Sequence, residues 1–187
     1  MLPELLQKTN LFYTLHCIDK ELAEKTRQKN CPYCDDTLHN AKYKRKPKGS
    51  LDNIPDEYLN RYSLCCRNKD CRCRTLPPSC LFFGRRVYWG CVILIVLTFR
   101  QNNPNSASAR KIQEIFDINR ETLKRWIDYY RDVFPYTPQW QRLRSRIASS
   151  VKNNELPWGL LNHFINHFKS AEEGLIECLK FMASDNF

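Results

Sequence analysis

Residues 31–34 read CPYC, and residues 65–73 read CCRNKDCRC. These two clusters decide how the first half of the chain folds. Two thiolates separated by two residues on a tight turn can meet one tetrahedral zinc ion, with Zn–S bonds of ~2.3 Å. The second pair must come from Cys65, Cys66, Cys71 and Cys73. Pairing Cys66 with Cys71 leaves four residues between them, and every pairing of 65 with 71, 66 with 73 or 65 with 73 leaves more; zinc knuckles favour two to four. The expected ligands are therefore Cys31, Cys34, Cys66 and Cys71, holding one zinc. Cys65 is the alternative to Cys66, because neighbours on a strand point to opposite faces and only one can reach the metal. A site closed by four thiolates has no open position, so its role is structural. It replaces a hydrophobic core that so short a segment cannot build alone. A redox reading of CPYC would need a strand–helix–strand setting, which the following DDTLHN does not supply. His39 is expected as a surface loop residue.

Outward from the clusters, residues 106–131 read SASARKIQEIFDINRETLKRWIDYYR. Ile112, Ile115 and Phe116 mark the inner stripe of one helix. Asp117, Ile118 and Asn119 form a short turn, with Asn119 suited to cap the next helix. Leu123, Trp126, Ile127 and Tyr130 then recur at the spacing of an apolar helix face. Two short helices with a three-residue turn, the second one basic, is the pattern of a DNA-reading helix-turn-helix. Residues 85–100 supply its first helix, apolar nearly all round because it is a core strut. Arg120, Lys124 and Arg125 face outward to read base edges, while Leu123, Trp126 and Ile127 point inward.

Charge agrees with this placement. The chain of 187 residues carries 30 Lys and Arg against 20 Asp and Glu, a net charge of +10. Residues 40–87 hold 12 basic and 4 acidic side chains, and residues 100–152 hold 11 and 5. The two ends are near neutral or acidic, so the whole excess lies over the cysteine clusters and the paired helices. Such an excess fits a polyanion, above all nucleic acid. Lys42, Lys44, Arg45, Lys46 and Lys48 in the run KYKRKPKG, with Arg72, Arg74, Arg85 and Arg86, are expected to contact phosphates, which position a protein without reading sequence.

The segment from CPYC through RYSLCCRNKDCRCRTLPPSCLFFGRRVYWG, followed by IQEIFDINRETLKRWIDYYR, resembles the zinc-ribbon plus helix-turn-helix head of insertion-sequence transposases and their associated small DNA-binding proteins. The resemblance covers residues 31–134 and is firmest at Cys31, Cys34, Cys66, Cys71 and residues 120–126. It implies a ribbon, an arginine-rich TxPxS-type strand and then a helical reader. Only 53 residues follow residue 134, with Glu155, Glu172, Glu173, Glu177 and Asp185 as their acids, so no DDE-type nuclease domain is expected to fit there. The implied protein is thus a recognition head or accessory factor, with a transposase or integrase as partner.

The expected fold is α+β: an N-terminal helical segment (1–30), a zinc-stabilised β-ribbon (31–80), a three-helix DNA-binding unit (81–134) and a C-terminal helical segment (135–187). Double-stranded DNA is the expected partner, no catalysis is expected, and the expected setting is cytoplasmic and nucleoid-associated. The longest apolar run, residues 87–99, is shorter than the ~20 residues a membrane-spanning helix needs, and the first residues lack the pattern of a secretory signal. No glycine-rich phosphate-binding motif occurs. Leu156, Leu160, Leu161, Phe164, Ile165 and Phe168, and then Leu175, Ile176, Leu179 and Phe181, serve either as core or as a homodimer contact, and the pattern does not separate the two. His163 and His167 read as a partly exposed pair on that helix. Two other functions remain open: an RNA-binding ribbon whose Tyr43, Tyr58 and Tyr62 stack on unpaired bases, and a subunit of a nuclease or transposase complex.

Overall fold

The computed structural model describes residues 2–6, 8–45, 47, 54–83, 88–102, 107–147 and 151–184. Lys46, Lys48, Arg85 and Arg86 lie outside these residues. The fold is mixed α+β and mostly helical, with two small antiparallel sheets near the cysteine clusters.

Two helices open the chain, α1 (Leu2–Leu5) and α2 (Thr9–Arg27). Phe12, Leu15, Ala23 and Thr26 make a buried stripe along α2, and Lys25 and Arg27 in its last turn suit the negative end of the helix dipole. Strands β1 (Leu38–Asn40), β4 (Leu64–Cys66) and β5 (Arg74–Thr75) form one sheet in the order β1-β4-β5. Strands β2 (Tyr43–Lys44) and β3 (Asn60–Arg61) pair separately.

The apolar run expected as a buried helix is α3 (Gly90–Asn102). It is apolar on every side because it is covered on every side: α4 (Ala107–Ile115), α5 (Arg120–Asp128), α7 (Trp158–His167) and α8 (Ala171–Ala183) all pack against it, and residues 91–96 are fully buried. Between α5 and α7 the chain passes through a wider turn (Tyr129–Val133) and α6 (Pro138–Arg144).

The apolar faces of the C-terminal helices enter this same core. Leu160, Leu161, Leu175, Cys178 and Leu179 are fully buried. The α7 and α8 backbones lie so close that a Cβ on Gly174 would stand 2.7 Å from the Ile165 Cα, which makes glycine obligatory there. One apolar cluster runs from Leu5 to Ala183, and a second, small one holds Cys31, Leu38, Leu64 and Cys66.

A polar node joins the sheet region to α2. Asp19 falls on the apolar stripe of α2 and is 2% exposed. Its carboxylate accepts from the Ser79 hydroxyl and from the Cys80 backbone N–H at 2.6 Å. Ser79 in turn accepts from the Phe82 N–H at 3.0 Å. Arg61, also buried, donates to the carbonyls of Tyr62 and Pro77. The TLPPS segment (75–79), which follows Arg72 and Arg74, is thereby fixed from both sides. Trp89 completes the joint, with its ring stacked on Phe82 and meeting Phe12 edge-on, both at 5.1 Å.

Burial raises the Asp19 pKa from 3.8 to about 6, against the opposing pull of its hydrogen bonds and of Arg61. A raised folded-state value means the folded protein favours the protonated carboxyl. This contribution to stability is present below the unfolded value and is lost as pH rises through about 6. Asp19→Asn keeps the shape and removes the titration. Its stability relative to wild type is expected to improve by about 2 kcal/mol between pH 4 and pH 7, measured by chemical denaturation at both values. A difference that does not change with pH would contradict this assignment.

Candidate metal centre and cationic helix face

The two knuckles are built alike. In the first, the Asp35 N–H donates to the Cys31 carbonyl at 2.9 Å and the Cys31 N–H to the Asp36 carbonyl at 2.8 Å. In the second, the Asn68 carbonyl accepts from the N–H groups of Cys71 (3.3 Å) and Arg72 (2.9 Å), and its side chain accepts from the Asp70 N–H. The residue leaving each knuckle is left-handed, Asp35 at φ 59° and Arg72 at φ 42°. That reversal turns the chain away and leaves both sulfur atoms of each pair facing inward.

Strand register decides between the adjacent cysteines. Cys66 pairs with Leu38 and shares its buried face, while Cys65 pairs with His39 and Arg74 on the other face. Cys65 Sγ lies near the Cys66 and Arg72 carbonyls. His39 is exposed on β1, as expected of a surface residue, though it sits in a strand and not a loop.

The Sγ atoms of Cys31, Cys34, Cys66 and Cys71 lie within 4.8 Å of one another. Cys34 and Cys66 are 3.4 Å apart, Cys31 and Cys71 3.8 Å. Four sulfurs at ~2.3 Å from a tetrahedral centre stand ~3.8 Å apart, so the group fits one metal ion such as zinc. Backbone N–H groups of Tyr33 and Cys34, with the neighbouring thiols, bring the Cys31 thiol down to about 7, whereas burial pushes Cys66 up to about 12. A divalent cation at the centre would offset that burial cost and favour all four thiolates.

The cations of the ribbon are less free than the sequence suggests. Lys44 pairs with Asp56 at 2.5 Å. Arg45 lies over the rings of Tyr43 and Phe82, and Lys42 over Tyr62. Arg72 and Arg74 are both exposed. Tyr58 and Tyr62 are 7% and 5% exposed, with their rings against His16. Neither ring has a free face for a base, which removes two of the three tyrosines the RNA reading needs.

On the helical side, the turn between α4 and α5 is tight and doubly fixed. The Ile118 N–H reaches back to the Gln113 carbonyl (2.8 Å) and the Asp117 N–H to Glu114 (3.2 Å), with Asp117 left-handed at φ 46°. This is the six-to-one and five-to-two bonding that closes many helices, here with Asp in place of the usual glycine. The Asn119 side chain then accepts from the Thr122 N–H at 2.7 Å and starts α5. Tyr88 donates its hydroxyl to the Asp117 carbonyl at 2.9 Å and meets the Trp126 ring edge-on at 4.9 Å.

Thr122, Leu123, Trp126 and Tyr130 are buried; Arg120, Glu121, Lys124 and Arg125 are exposed. Ile115, expected on the inner stripe of α4, is 40% exposed, because the helix ends there and the chain turns at Phe116. His163 and His167 are neighbours on α7, the His167 Nδ1 lying 2.6 Å from the His163 carbonyl, with His167 exposed.

The chain was compared with protein-family models, curated proteins and solved structures. None of them matches. Among the described residues, no helix is long and apolar enough to cross a membrane.

Asp19 is the residue whose role the sequence reading missed. A signal was present: it stands four residues after Leu15 and four before Ala23, on the apolar face of α2. A carboxylate at a core-facing helix position implies buried donors facing it.

Substituting Cys31, Cys34, Cys66 or Cys71 by Ser is expected to abolish binding of one zinc per chain and to unfold the small sheet, since metal binding there is folding energy. Cys65→Ser is expected to keep both. Metal analysis and amide exchange over residues 31–75 check this. Loss of zinc in the Cys65 variant alone would reassign the third ligand.

Proposed function

We propose that this chain is a zinc-stabilised, duplex-DNA-binding protein that performs no catalysis itself and serves as a recognition head or accessory factor of a mobile genetic element, working with a transposase or integrase on DNA in the cytoplasm. The observation that carries the reading is the pair α4 and α5. Two short helices are joined by a tight, hydrogen-bonded turn, and the second is capped by Asn119 and presents Arg120, Lys124 and Arg125 outward over buried Leu123 and Trp126. Such a pair supports a helix-turn-helix reading, in which the first turns of the second helix would enter the major groove.

The ribbon supplies the second support. Its four-thiol centre matches the resemblance to insertion-sequence heads, and the exposed Arg72 and Arg74 beside it would give phosphate contacts. Lys44 and Arg45, already engaged with Asp56 and with aromatic rings, contribute less. The burial of Tyr58 and Tyr62 favours duplex DNA over unpaired RNA.

The test is binding of the zinc-loaded protein to duplex DNA and to single-stranded RNA, with two substitutions. Arg120→Ala is expected to weaken binding to a preferred duplex by ~1–3 kcal/mol with the melting temperature unchanged. Trp126→Ala is expected to destabilise the fold by ~3–5 kcal/mol. Unchanged duplex affinity in both Arg120→Ala and Lys124→Ala would remove α5 from the contact.

A further inference from the structure

We propose that Glu121 is a base-reading residue and that the preferred duplex carries G·C pairs at its centre, with a cytosine read by the Glu121 carboxylate. This rests on the DNA-binding reading above and deepens it. Around α5 the buried residues are Thr122, Leu123, Trp126 and Tyr130. At 3.6 residues per turn, the direction opposite their mean passes between Lys124 and Glu121 in the first turns and through Asp128 at the far end, which pairs with Arg131 at 2.8 Å, with Arg120 and Arg125 on the flanks. Glu121 thus stands near the middle of the face that a groove would receive, in the first turn, where recognition helices touch base edges.

A carboxylate there is costly beside phosphates unless it finds a donor. No ion pair among the described residues engages the Glu121 side chain. The nearby Arg125 guanidinium turns to the Glu121 backbone carbonyl at 3.3 Å and to the Thr122 hydroxyl at 3.1 Å, and not to that carboxylate. Of the major-groove donors, the cytosine amino group is the one that Glu and Asp accept from, whereas Arg and Lys donate to guanine O6 and N7. The exposed face of α5 carries Arg120, Glu121, Lys124 and Arg125 and no Asn or Gln, the residues that pair with adenine. Its chemistry selects G and C. Arg125, lying back along its own helix, reaches the duplex only by giving up those two bonds, which leaves Arg120, Glu121 and Lys124 as the readers.

The ordinary alternative is that Glu121 only stabilises the positive end of the helix dipole. The two roles separate experimentally. Zinc-loaded wild-type protein and Glu121→Gln are each put through selection from a random duplex library, followed by affinity measurements on the enriched duplex and its single-pair variants, with melting temperatures recorded. The expected result is a G·C-centred site for wild type. In Glu121→Gln, preference for cytosine at one position, where wild type discriminates roughly tenfold or more, is then lost or passes to adenine, while neighbouring positions and the melting temperature stay as they were. Identical sites for both proteins, or a lowered melting temperature with no change in preference, would overturn the inference and leave the DNA reading standing. An A·T-centred site would do the same. Enrichment of no duplex by either protein would instead overturn the DNA reading, and this inference with it.

Discussion

Four sulfur atoms brought within 4.8 Å of one another tie the turn at residues 31–34 to the turn at residues 66–71. The strands there are two or three residues long, too short to hold together by pairing alone, and the apolar cluster around them contains only Leu38 and Leu64 besides the cysteines. The chain reaches the meeting point from two directions by the same device, a turn whose exit residue is left-handed. Asp35 and Arg72 bear that conformation without being glycine. The strain is held by the bonds that bind each turn, and a bound cation would add to that hold.

The sheet does not stand apart from the helices. Asp19 reaches from α2 to Ser79 and Cys80, Arg61 ties the strands to the Pro77 carbonyl, and Trp89 leads directly into α3. From α3 the order passes onward through Tyr88, which binds the Asp117 carbonyl and packs on Trp126. The placement of α5 therefore follows from a chain of contacts that starts at the thiol centre.

Much of this was legible in the sequence. Spacing alone selected Cys66 and Cys71, because knuckle length is a local constraint. Asn119 was legible as a cap, and Leu123, Trp126 and Tyr130 as an inward face, because helical period is local as well. What spacing could not convey was long-range. The same apolar periodicity in residues 156–181 suits a core or a dimer contact, and only the packing of α7 and α8 on α3 shows where those side chains go. Tyr58 and Tyr62 sit among cations in the sequence, yet their rings turn inward to His16 on a helix some 40 residues earlier. Asp19 has its partners 60 and 61 residues away, beyond any window in which a pattern can be read.

The treatment of the cations in the ribbon has a consequence for how the molecule meets a polyanion. A phosphate approaching Lys44 also meets the Asp56 carboxylate 2.5 Å from that ammonium, so the pair displaces few counterions. The thermodynamic reach of a net charge of +10 is then set less by its total than by where cations stand without a neighbouring acid. Ions released on association with a polyanion would come from Arg72 and Arg74 beside the thiol centre and from Arg120 and Lys124 on α5. Under the proposed function, these two separate points of contact would fix the protein's orientation along a duplex before any base is read.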